Sequence, residues 1–130
     1  MKQNLVVASF LVIVVLVSGC ATTRNMLGNE YRKEAAPNSW TYFSDVWAVV
    51  DDDEFRVSGR LRLKGSSGAN IADYVEVALI DETGKVIESR KVPYSPKILS
   101  GKRKHRGARF TARFDQAPPP GTIIRLENVN

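Results

Sequence analysis

The chain has 130 residues, 19 Lys and Arg against 14 Asp and Glu, a net charge of +5, one cysteine and one histidine. That length holds one domain with a core of ordinary size. A lone cysteine excludes an intrachain disulfide, and with a lone histidine it excludes a thiol–imidazole zinc site.

Met1-Lys2-Gln3-Asn4 is a short, positively charged start, and Leu5 to Val17 is apolar apart from Ser9. An apolar run of that length fits a signal-peptide core and is short for a helix crossing ~30 Å of hydrocarbon. The small residues Ser18 and Gly19 follow, and then Cys20. Leu16-Val17-Ser18-Gly19-Cys20 resembles the lipobox of bacterial lipoproteins, with Val17 in place of the commoner Leu. The resemblance implies that diacylglycerol is joined to the Cys20 sulfur, that cleavage falls between Gly19 and Cys20, and that the new amine is open to acylation. Each buried methylene contributes ~0.8 kcal/mol, so one acyl chain holds a protein marginally and two or three hold it stably. The competing readings are an uncleaved single-pass anchor and an ordinary signal peptide with an incidental cysteine. Ala21 and Thr22 follow with no Asp at the second position. In Gram-negative lipoproteins this pattern resembles outer-membrane sorting. The implied location is the cell envelope, lipid-anchored, at the outer membrane facing the periplasm where the host is Gram-negative.

Residues 20–38 read as the lipidated cysteine and a polar tether, closing in Ala35-Ala36-Pro37-Asn38. About two turns of helix are compatible with Asn29 to Ala36, bounded by Gly28 and Pro37, but the composition favours a mobile spacer lifting the domain off the bilayer. The domain proper is expected over residues 39–130.

From Ser39 the period is two. Trp40 to Val50 reads as a strand with Phe43, Asp45, Trp47 and Val49 on one face; Trp40, Tyr42 and Trp47 are candidates for a binding surface, with core packing favoured for Trp47. Asp51-Asp52-Asp53-Glu54 is a turn. Phe55 to Lys64 alternates most clearly, with Phe55, Val57, Leu61 and Leu63 inward and Arg56, Ser58, Arg60, Arg62 and Lys64 outward. Tyr74 to Ile80 and Val86 to Val92 are strands joined by a hairpin at Asp81-Glu82-Thr83-Gly84-Lys85, with Gly84 at the positive-φ position. Ala108 to Phe114 sets Phe110, Ala112 and Phe114 against Arg109, Thr111 and Arg113, and after Pro118-Pro119-Pro120 a last strand runs from Thr122 to Glu127. About six strands with no amphipathic helix predict an all-β, antiparallel sandwich, immunoglobulin-like or transthyretin-like. Val77-Ala78-Leu79-Ile80-Asp81, followed by Thr83-Gly84, resembles the centre of FxLYD-type immunoglobulin-like domains of bacterial surface proteins. Leu79 and Asp81 match that motif, Val77 and Ile80 replace its aromatics, and the likeness covers one hairpin.

Catalysis finds little chemistry to build on. His105 sits among Lys102, Arg103, Lys104 and Arg106, with no adjacent carboxylate, and an acylated Cys20 is no nucleophile. No nucleophile elbow or Ser-x-x-Lys pattern occurs, so the chain is read as a non-enzyme without cofactor. The acids of residues 51–54 lack the spacing and glycine of a calcium loop, so no metal is assigned to them. The candidate binding residues are basic: Lys97, Lys102, Arg103, Lys104, Arg106, Arg109 and Arg113, with no acid among them through residue 113. On a membrane-tethered protein they suit anionic envelope components or an acidic protein surface. Nucleic acid is disfavoured by export and by the lack of interleaved aromatic residues. Arg56, Arg60 and Arg62 form a second basic strip whose continuity with the first depends on the fold. The function expected is a non-catalytic binding or structural module contacting another envelope component. The alternative is a carrier of a small apolar ligand or lipid between the sheets.

Overall fold

The computed structural model describes residues 24–65, 71–97 and 107–130. Seven strands follow in chain order: β1 (Arg32–Ala35), β2 (Thr41–Asp51), β3 (Glu54–Leu63), β4 (Tyr74–Ile80), β5 (Val86–Pro93), β6 (Ala108–Phe114) and β7 (Ile123–Val129). They form two sheets, one of four strands in the order β1-β7-β4-β5 and one of three in the order β2-β3-β6. The sheets pack as a β-sandwich over Phe55, Val57, Leu61, Phe110, Ala112 and Phe114 of one layer and Val75, Val77, Leu79, Ile124 and Leu126 of the other. Every pairing is antiparallel except β1 with β7.

The β3 and β6 strands follow the predicted alternation, because each has one face on the core and one in water. The hairpin after β4 also forms as expected. Gly84 has φ +88°, and the Asp81 carboxylate accepts from the Thr83 and Lys85 N–H groups, both at 2.9 Å, and from the Thr83 hydroxyl at 2.6 Å. Those bonds hold the Asp81 carboxyl below its ordinary pKa, the Thr83 hydroxyl contributing most.

Two expectations are corrected. The first is the tether. Instead of a spacer or a helix running to residue 38, residues 25–36 belong to the sandwich. The Met26 N–H donates to the Ala48 carbonyl at 2.8 Å, and Ala36 N–H to the Leu126 carbonyl at 2.9 Å. Between them Tyr31 is buried to 2 % exposure, its ring 5.2 Å from that of Phe55, and its hydroxyl donates to the Pro118 carbonyl at 2.7 Å. The resulting strand β1 is the seventh, where about six were expected.

The second correction is the phase of β2. Ser44 pairs with Arg60 and Trp47 with Ser58, so Asp45 and Val46 together oppose Gly59. This one-residue bulge, with Asp45 at φ +50°, reverses the facing of the residues beyond it. Val46 and Ala48 turn inward, and Trp47 is 50 % exposed instead of lying in the core.

Candidate binding face

The outer face of the three-stranded sheet collects most of the described basic side chains named from the sequence. Even-numbered residues of β3 point outward, and the register sets Arg60 directly opposite Arg109 and Arg56 directly opposite Arg113. Between these rows lies a third, containing Trp47, Ser58 and Thr111. The two arginine pairs stand four residues apart along the strands, about 13 Å at ~3.3 Å per residue. The two basic strips are therefore one surface, with an exposed indole in the row between the arginine pairs.

Like charges directly opposite across strands destabilise a sheet. Asp45 and Glu54 moderate this at Arg60 and Arg113, and Asp45 also meets Arg62. The Asp45 carboxylate lies 3.7 Å from Arg60 Nε and 3.5 Å from Arg62 Nη2, and Glu54 Oε1 accepts from Arg113 Nη1 at 2.7 Å. Arg62 Nε also donates to Ser44 Oγ at 2.5 Å. Among the described residues neither Arg56 nor Arg109 has an acidic partner. An open groove of about 480 Å³ runs over the face, lined by Asp45, Trp47, Ser58, Arg60, Arg109 and Thr111 among others. Exposed pairs of this kind contribute roughly 0–1 kcal/mol each, so the face adds little to folding and keeps its charge available to a partner.

Arg109 and Arg113 thus lie on this face. Lys97 is engaged elsewhere: its Nζ donates to the Asp73 carbonyl at 2.6 Å and sits 4.4 Å from the Tyr94 ring centre and 5.3 Å from that of Tyr74. Such contacts hold an ammonium by hydrogen bonding and by the ring quadrupole. Cys20, Lys102, Arg103, Lys104, His105 and Arg106 lie outside the described residues. The acidic turn is a two-residue hairpin with Asp52 at φ +44° and Asp53 at φ +65°, which directs Glu54 toward Arg113. Among the described residues no group of three or more His, Cys, Asp or Glu side chains is placed to hold a metal ion.

Trp47 is the surface candidate that sequence reasoning set aside in favour of the core. Its signal was the adjacent polar pair Ser44-Asp45, which breaks the alternation of β2 where the bulge sits. Tyr42 is exposed beside Arg62, on the same outer face.

No protein-family model matches this chain, and no characterised protein or solved structure shows significant similarity to it.

Proposed function

We propose that this chain is a lipid-anchored protein of a bacterial cell envelope, held through Cys20, and that its sandwich is a non-catalytic binding module for an anionic envelope component. The anchor rests on the lipobox-like run Leu16 to Cys20. The binding role is carried by one observation, the register that stacks Arg60 with Arg109 and Arg56 with Arg113 on either side of the exposed Trp47. The carrier reading has less support, because the Tyr31, Phe55 and Phe114 rings pack together between the sheets, with centres 5.2 and 6.0 Å apart in successive pairs.

Metabolic labelling with palmitate and membrane fractionation test the anchor. The wild-type chain is expected to take up label and to sediment with membranes, and Cys20→Ser to remain unlabelled and uncut. An unlabelled wild-type chain, or a Cys20→Ser chain that is still processed, refutes lipidation. Crosslinking in intact cells, compared between wild type and Arg56→Glu/Arg109→Glu, tests the binding role. Adducts that persist unchanged after the charge reversal and at high salt refute the assignment to this face.

A further inference from the structure

The segment ahead of β1 is fastened to the open edge of β2, the strand that carries Trp47. The Asn25 side chain spans the two backbone groups that flank Trp47. Its Oδ1 accepts from Ala48 N–H at 3.1 Å, and its Nδ2 donates to the Val46 carbonyl at 3.4 Å. Met26 continues the attachment with its N–H on the Ala48 carbonyl at 2.8 Å. Trp47 is thus bracketed by the point where the chain leaves the sandwich toward Cys20.

Chain geometry then limits how far the domain can stand from its anchor. Five residue steps separate Cys20 from Asn25. At a maximum of ~3.3–3.6 Å per step they reach about 18 Å, whatever their conformation. An acylated Cys20 lies at the level of the lipid headgroups. Asn25, hydrogen-bonded to the edge of β2, is therefore confined to within ~18 Å of them. That limit is roughly two screening lengths at physiological salt, where the Debye length is ~8 Å, so surface charge is largely screened at full extension and acts on the face when the domain lies closer to the bilayer than that limit.

We infer that the sandwich lies against the surface of the bilayer that holds its own lipid, with the arginine–tryptophan face of β2, β3 and β6 on anionic phospholipid headgroups. The inference rests on the reading of Cys20 as the acylation site. Its occupant follows from three features: the short reach of the anchor, the excess of arginine over acid on the face, and the side chain next to the attachment. Tryptophan prefers the membrane–water interface, where its ring is half apolar and its N–H is hydrated. Arginine pairs with phosphate by two parallel hydrogen bonds, and the unneutralised Arg56 and Arg109 are placed to do so. A phosphate between Arg60 and Arg109 also relieves the like-charge opposition of that pair.

The test uses the mature, acylated protein reconstituted into vesicles. The chain has two tryptophans, so Trp40→Phe leaves Trp47 as the sole reporter. Vesicles are made of phosphatidylcholine alone or mixed with phosphatidylglycerol, with a headgroup-region quencher on a fraction of the lipid. On phosphatidylglycerol vesicles Trp47 emission is expected to shift to the blue and to be quenched, and both effects to be lost at high salt and on phosphatidylcholine. Arg56→Gln with Arg109→Gln should lower the ratio of docked to undocked protein about 25-fold, at about fivefold for each cation removed from the surface. Mass spectrometry reads acylation before reconstitution, and an unacylated protein overturns both the anchor and this inference. An acylated protein that floats with phosphatidylglycerol vesicles while Trp47 stays as solvent-exposed as in detergent overturns the inference and leaves the anchor standing. Trp47 shielded in native membranes but exposed on these vesicles assigns the face to an acidic protein and likewise overturns it.

Discussion

Replacing Tyr31 decides whether the segment before β2 is spacer or core. A spacer residue exposed to water tolerates Tyr31→Ala within about 0.5 kcal/mol. In the sandwich Tyr31 is buried, its ring meets Phe55 edge-on at 5.2 Å and 60°, and its hydroxyl reaches Pro118, 87 residues away, at 2.7 Å. Truncating an aromatic ring of that kind to a methyl costs about 3–5 kcal/mol through lost transfer energy and the cavity left behind. Tyr31→Phe isolates the polar part, since it keeps the ring and leaves the Pro118 carbonyl without its donor, for about 1–2 kcal/mol. In urea, with an m value of about 1.5 kcal/mol/M, those costs lower the unfolding midpoint by roughly 2–3 M for Ala and about 1 M for Phe. Circular dichroism of the β signal follows both transitions. Midpoints for both variants within ~0.3 M of wild type would refute the placement of Tyr31 in the core.

Three further outcomes follow from the same packing. Trp47→Ala is expected to cost less than ~1 kcal/mol in urea unfolding, against ~3–5 for a core tryptophan, and a loss in the higher range would refute the bulged phase of β2. Gly59→Ala should destabilise by about 1–3 kcal/mol in the same assay, because its methyl would stand 3.0 Å from Phe110 Cζ and 3.1 Å from Val46 Cγ2; unchanged stability would show that the two side chains yield. Burial, aided by the charges of Glu30 and Asp73 respectively, raises the pKa of Tyr31 and of Tyr94, and each hydroxyl donates to a carbonyl only while protonated. The native state therefore holds these protons more tightly than the unfolded chain. Their stabilisation is complete below the ordinary tyrosine value near 10 and is lost as pH rises through the raised native values, so the urea midpoint should fall above about pH 10 and fall less in Tyr31→Phe.

What was legible in the chain depended on whether a strand has one dry face. The Phe55 to Leu63 and Ala108 to Phe114 runs announce themselves because each inward residue is large or apolar and each outward one polar. Arg32-Lys33-Glu34-Ala35 has no such contrast. All four residues are exposed, and the strand exists because its backbone pairs in parallel with β7 while Tyr31 fills the core beside it. The binding face was legible only in halves. Each strand declares its own arginines, but their apposition depends on register, and register is set by long-range pairing that no local window contains. Lys97 shows the converse: it is continuous in sequence with the basic run, yet its ammonium is held by Tyr94, Tyr74 and the Asp73 carbonyl.

The bulge at Asp45 links the fold to the face, and deleting that residue tests the link. Ser44 and Trp47 are three residues apart but oppose Arg60 and Ser58, which are two apart, so removing Asp45 leaves Ser44, Val46 and Trp47 opposite Arg60, Gly59 and Ser58 in regular alternation. Both halves of β2 then keep their phase, with Thr41, Phe43, Val46 and Ala48 inward and Trp47 outward. The deletion is expected to cost less than about 2 kcal/mol and to leave the emission of Trp47, in a Trp40→Phe background, that of a solvated indole. In a β2 without a bulge the same deletion would throw one half of the strand out of phase and expose at least one large or branched apolar side chain, for a loss of about 2 kcal/mol or more. A deletion variant that loses that much, or whose Trp47 emission moves to the blue, would refute the bulge. Asp45→Gly should keep the bulge, since glycine adopts φ +50° without strain, and remove only the weak ion pairs to Arg60 and Arg62. It is therefore expected to stay within ~1 kcal/mol of wild type with Trp47 still exposed, because the pairing of Trp47 with Ser58, and not the charge of Asp45, is what presents the indole among the arginines.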